Sequence, residues 1–447
     1  MATKKLASWT VNLETIPEST CKAAVRSLYN YIGCAIGGSN HPTVIKAHKA
    51  LEPLFGRPTS TLLGTASQCD LQHAALLNGI ASHVHDYDDT HLATIIHPAG
   101  PVASAILCYA EYQGSVTGDE LILALVAGIE ASCKLGLAVW PEHYDIGWHI
   151  TSTTGSIGAA VGVGKLMKLS ESQMAHAIGI AAVQVTGLRE MFGSDTKSFH
   201  PGRAATNGIM AALLARQGYT SSEQALEAKR GWANVVAGGG TPKLDELLEG
   251  LGNTWEIETN SFKPFPCGIV CHPAIDAAIQ CHGELTQTHK CDPRGIEKVS
   301  LRVHPLVVEL TSKRKPRDSL EAKFSVFHGC AVGLLYGKAG PAQYADEVVT
   351  STEVISVRDR VSIEADSSLA ADEAYLSLEH SNGKKLKKHV AHAVGSLQVP
   401  MTDEQLTAKF IDQVSLVVGE DAAMRWSEKA WNLHNAQDVG KSIQGQT

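Results

Sequence analysis

Gly155-Ser-Ile-Gly158-Ala-Ala-Val-Gly162-Val-Gly164-Lys165-Leu166 is the stretch on which the reading of this chain turns. A glycine-rich run closing on Gly-Lys invites a phosphate loop. Leu166, however, stands where that loop needs a hydroxyl, and Ala159 where it needs its first glycine. No Gly-x-Gly-x-x-Gly follows a strand in a βαβ unit either, which argues against a dinucleotide fold. The remaining reading is a helix of small residues whose bare surface lets neighbouring helices come close.

Outward from this run the helical texture continues. Thr15-x-x-Glu18, Thr117-x-x-Glu120, Ser170-x-x-Gln173 and Thr220-x-x-Glu223 each pair a capping hydroxyl with a side chain that reaches back to the cap amide. Ala24, Leu28, Tyr31, Ile32, Ala35 and Ile36 recur at helical spacing. From about residue 260 alternation takes over, in Val299–Val303, Val361–Ala365 and Tyr375–Glu379, and Asn382-Gly383 is a hairpin turn. Helix returns at Thr402-x-x-Gln405. The expected fold class is mainly α with an α+β insertion. A large all-helical domain, discontinuous over 1–259 and 398–447, would carry a smaller α+β lid domain over 260–397.

Composition narrows the function classes. The 447 residues are 44% hydrophobic and 19% charged, with a formal net charge of −8 and no block of five basic residues. That argues against a nucleic-acid partner. The apolar run Leu121–Ile129 is about half the ~20 residues a membrane span needs, so no membrane partner is expected. No apolar segment follows the N-terminal lysines, and the 10 cysteines are scattered through apolar runs. Free thiols in the cytoplasm are the expectation, with a mitochondrial location left open.

Five polar clusters could carry chemistry. His83-Val-His85-Asp86-Tyr87-Asp88-Asp89-Thr90-His91, followed by His97-Pro98, has the donors of a metal site or of acid/base work, though it lacks the helical His-x-x-x-His spacing. His143-Tyr144-Asp145-Ile-Gly-Trp148-His149 leads into the small-residue helix, where a His or Tyr could move a proton beside free amides. Lys197-Ser-Phe-His200-Pro-Gly-Arg203 sets three cations in seven residues, a candidate carboxylate clamp. Lys263-Pro-Phe-Pro-Cys267 runs on to Cys271-His272, where a zinc reading lacks a second ligand pair. Lys323-Phe-Ser325-Val-Phe-His328 opens an apolar helix and says little alone. Each has a plainer alternative: capped helix ends, a core Trp148, a solvated basic loop.

Taken in this order, the five clusters resemble the MmgE/PrpD family, which includes 2-methylcitrate dehydratase, cis-aconitate decarboxylase and iminodisuccinate epimerase. The resemblance spans nearly the whole chain. It rests on Asp86-Tyr-Asp-Asp-Thr90-His with His97-Pro98, on His143-Tyr-x-x-Gly-Trp-His149, and on Lys197-x-x-His200-x-Gly-Arg203. Lys263-x-Phe-Pro-Cys to His272 and Lys323-Phe-Ser-Val-Phe-His328 complete it. It implies a helical domain with an α+β lid, a homodimer, and catalysis without metal or other cofactor. Asp86, His97, Tyr144, His149 and Lys197 would be catalytic. Thr90, His91, His200, Arg203, Lys263, His272 and His328 would bind substrate. The implied chemistry is that of a cofactor-independent lyase, a dehydratase or decarboxylase, moving a proton next to a carboxylate of a citrate- or aconitate-like acid. Tyr144 before Gly-Trp-His is similar to the epimerase branch, so an epimerase or isomerase of a related dicarboxylate is the alternative. A catalytically silent binder is the third reading, and it has no need of this many intact acid/base positions.

Overall fold

The computed structural model describes residues 1–444, so the last three residues of the expected segment 398–447 lie outside it. The chain divides into two compact units. The first holds Met1–Val84, Asp88–Ser261 and the chain from Leu406 onward; the second holds His85–Tyr87 and Phe262–Gln405. The sequence texture puts His85–Tyr87 with the helices. They join the second unit because Lys263 pairs with Asp86 at 2.6 Å and the Tyr87 hydroxyl donates to Pro264 O at 3.0 Å.

The first unit is built on long helices: α1 (Glu18–Gly38), α2 (Leu71–His83), α3 (Ala99–Gln113), α4 (Gly118–Val139), α5 (Ile150–Leu166) and α6 (Asp195–Arg216). Helix α5 is the glycine run, and every residue of it except Lys165 is buried. Such a helix has no solvent stripe and packs on all sides. At Gly158 an added Cβ would fall 2.0 Å from Ser132 Oγ and 2.5 Å from Gly128 O of α4, so only glycine permits this crossing. Gly79 of α2 meets Gly202 of α6 in the same way, with an added Cβ 2.4 Å from the facing Cα. That contact brings the end of α2 and the start of α6 together.

Thr117 and Ser170 form the expected capping boxes. Thr15 does not: α1 begins at Glu18 after Pro17, whose extended conformation and effect on Ile16 delay the helix by two residues. Thr220 starts no helix, and Glu223 is instead taken by Lys4 at 2.5 Å. The C-terminal segment returns to this unit through Lys409 Nζ, which donates to Asn30 Oδ1 at 2.7 Å, and through Phe410 stacked on Tyr29. Helix α4 is longer than its apolar core run. At 22 residues it is long and apolar enough to cross a membrane, which counting only its unbroken apolar run did not reveal. In the fold 89% of its most apolar window is buried against neighbouring helices.

In the second unit, strands β1 (Ile296–Val303), β2 (Val361–Ala365), β3 (Ala374–His380) and β4 (Lys385–Val390) form one sheet in the order β2-β1-β3-β4. Strands β1 and β2 are parallel; the other pairs are antiparallel. Val299, Leu301 and Val303 point to one face with Leu376 and Leu378 and share a core with α7 (His272–Gly283) and α8 (Val326–Tyr336). The β3–β4 turn is Asn382-Gly383, with Gly383 at φ +84° and the Asn382 side chain accepting from Lys384 N.

Candidate active site

Helix α2 starts on Asp70, whose carboxylate accepts from the amides of Gln72 and His73, and ends on His83. His83 Nδ1 lies 2.7 Å from Asp88 Oδ2, and both side chains are buried. His97 Nδ1 meets Asp89 O at 2.8 Å and Thr90 Oγ1 at 3.2 Å. A carbonyl only accepts, so Nδ1 carries the proton and Nε2 is the basic nitrogen of that ring. Thr90 is held by pairing with Ser261. Asp89 accepts from Ser27 and Asn260, and burial pushes its carboxyl up to about 7.

His149 is the residue before α5, and its Nδ1 sits 2.8 Å from Nδ1 of His200 on α6. A hydrogen bond between two imidazole nitrogens needs one proton, so one ring donates and the other accepts. Burial first, then the charges of His200 and His83, drives His149 well below the ordinary histidine range. Burial brings His200 down to about 4. The His83 ring lies 4.8 Å from His97 and 5.9 Å from His149, and His149 lies 5.0 Å from His200. Within the first unit the rings thus run His97, His83, His149, His200. Lys197, one turn before His200, is 8% exposed and lies beside the Phe192 ring.

Other expected residues fall elsewhere. Arg203 is exposed, unlike Lys197 and His200. His91 is engaged at both ring nitrogens, by Thr94 at 2.7 Å and by Glu256 at 3.2 Å, which makes it a strut rather than an open ligand. Hydrogen bonding from His91, with help from Lys134, holds Glu256 at about 2. The Tyr144 ring packs with Trp140 and under Arg189, in a small apolar group with Ile96 and Ile150. His143 is likewise satisfied on both sides, by Val236 O and Thr153 Oγ1.

The second unit gathers its own polar set. Asp86 adopts φ +52°, a strained conformation for a residue with a side chain, and its carboxylate and carbonyl both receive Lys263 Nζ. Cys267, Cys271, His272 and Tyr344 are buried together. Burial opposes the Cys267 thiolate, but hydrogen bonds from Cys271 and His272 outweigh it and bring the thiol below its ordinary range. His328 donates from Nε2 to Gln343 O, and burial lowers it to about 4. Lys323, 2% exposed, is a buried cation to which the sequence assigns no part.

His83 and Asp88 stand inside the first cluster of the sequence with no part assigned to either. Their signal is the position of His83 at a helix end with Asp88 five residues on. Among the described residues, His83, Asp88 and His97 offer ligand atoms within 4.8 Å of one another. His83 and Asp88 are also joined to each other by a hydrogen bond.

Largely uncharged imidazoles beside a buried lysine can move protons next to an anion, which is the working arrangement of an acid/base enzyme. Comparison with known proteins gives the family. The MmgE/PrpD N-terminal domain matches residues 4–245 and the MmgE/PrpD C-terminal domain matches residues 265–435, so the chain belongs to the MmgE/PrpD family. It is 26% identical to the cis-aconitate decarboxylase-like protein oryM of Aspergillus oryzae, over 99% of this chain and 96% of that one. It is 24% identical to a cis-aconitate decarboxylase of Aspergillus terreus, over 99% and 95%. A 2-methylcitrate dehydratase of Salmonella typhimurium is 23% identical over 82% of this chain and 78% of its own length. The chain is an enzyme of the lyase type.

Proposed function

We propose that this protein is a cofactor-independent lyase that removes CO2 or water from a citrate- or aconitate-like tricarboxylic acid. The observation that carries the reading is the buried row of imidazoles beside Lys197. His149, held neutral by burial, is suited to take a proton from carbon next to a carboxylate. Lys197 would balance the charge that then spreads into that carboxylate. His97 would serve the departing group through its basic Nε2. Thr90 and His200 position these rings. Asp86, Lys263, His272 and His328 keep the parts that family membership suggests for them, and Arg203 is left out of the clamp because it faces solvent.

Relatives that act, by name, on cis-aconitate and on 2-methylcitrate support the substrate class. The test is a mass-resolved assay in D2O with cis-aconitate, citrate, 2-methylcitrate and iminodisuccinate. Loss of CO2 or water from one of the first three establishes the lyase and its kind. Deuterium uptake at unchanged composition would make the enzyme an epimerase instead. A homodimer and a cytoplasmic location belong to the same proposal, the latter supported by ten free cysteines.

A further inference from the structure

We propose that His83, held by Asp88, is a proton relay between His97 and His149, a part outside the roles set out above although it rests on the lyase reading. Three observations carry it. First, the 2.7 Å contact from Nδ1 to a carboxylate oxygen places a proton on Nδ1, so that in the neutral form of the ring Nε2 carries the single lone pair. Second, that Nε2 is buried and has no hydrogen-bond partner, although buried polar atoms are nearly always satisfied. Third, the ring has those of His97 and His149 as neighbours, at centroid separations of 4.8 and 5.9 Å.

The transfer balances without any outside reagent. A proton taken by His149 passes to His83 Nε2, making an imidazolium whose charge faces the Asp88 carboxylate. The same proton then leaves Nε2 for Nε2 of His97, and His83 returns to its neutral form. The proton on Nδ1 stays there, donated to Asp88 throughout, so Asp88 is a positioning residue: it fixes the tautomer and stabilises the transient cation. A ring whose Nδ1 is tied in this way can receive and release only at Nε2. Nε2 has no partner at hydrogen-bond distance here, so each transfer requires the neighbouring ring to close on it.

Two measurements test this. In steady-state assays with the acid that the wild type turns over, His83→Gln should lower kcat about 100-fold or more with KM within a few-fold. Asp88→Asn should follow it, because the amide can present an N–H to Nδ1 and so reverse the tautomer. Imidazole added to His83→Ala should restore part of the lost kcat, which a merely structural residue would not allow. Variants that fold and keep wild-type kcat would overturn the relay. Nitrogen NMR of the wild-type protein at pH 7 should show His83 with a protonated Nδ1 and a bare Nε2. A protonated Nε2 overturns the relay whatever the assays give. If the wild type transforms none of the acids offered, the lyase reading fails, and the NMR result still decides the premise about His83.

Discussion

His143 shows how position alone sets charge at a single residue. Its ring is fully buried between Val236 O and Thr153 Oγ1, and burial brings its pKa to about 4. Between pH 6.5 and 4 the unfolded chain binds a proton that the folded one refuses, so this residue costs stability as pH falls through that window. The slope is about 1.4 kcal/mol per pH unit. Asp89 and Glu130, raised to about 7 by burial, act oppositely, since the folded chain keeps protons that the unfolded chain has released. The clean measurement is therefore a difference. His143→Gln should reduce the slope of unfolding free energy against pH by about 1.4 kcal/mol per unit between pH 6.5 and 4. An unchanged slope would mean that the ring is already charged. For catalysis, His149→Ala should lower turnover by about 100-fold or more, and full activity in that variant would end the proposed mechanism.

At the scale of elements, the helices follow local rules wherever those rules are local. Thr117-x-x-Glu120 and Ser170-x-x-Gln173 were legible because a capping box is complete within four residues. Thr117→Ala should cost about 1 kcal/mol in denaturant titration. Thr15 and Thr220 carry the same pattern and cap nothing, since Pro17 resets one helix start and Lys4, more than two hundred residues away, takes Glu223. The glycine run was legible as a packing helix; its partners were not. Gly158→Ala places a methyl against Ser132 Oγ and Gly128 O, and a loss of about 1–3 kcal/mol, read as a lower Tm, is expected. A Gly158→Ala protein as stable as the wild type would show that α4 and α5 can part without cost.

At the scale of the whole molecule, proton transfer by the chain's own groups predicts indifference to metal. Turnover should survive exhaustive chelation unchanged, although His83, Asp88 and His97 stand close enough to invite an ion. Loss of activity on chelation, restored by one divalent cation, would replace the relay with a metal centre. Light scattering should give twice the 47.6 kDa chain mass if the homodimer is right. The helical class, the late turn to strands, the Asn382-Gly383 hairpin and the set of chemically able residues are all readable along the chain. These depend on periodicity, turn chemistry and residue type, all written within a few positions of one another. Only the tertiary structure decided which of those residues work together and in what protonation state. His149 and His200 are 51 positions apart, and Arg203 and His91 looked as eligible as Lys197 until one was found facing solvent and the other tied at both nitrogens. Burial, tautomer and partner are properties of contacts between distant segments, and no spacing along the chain encodes them.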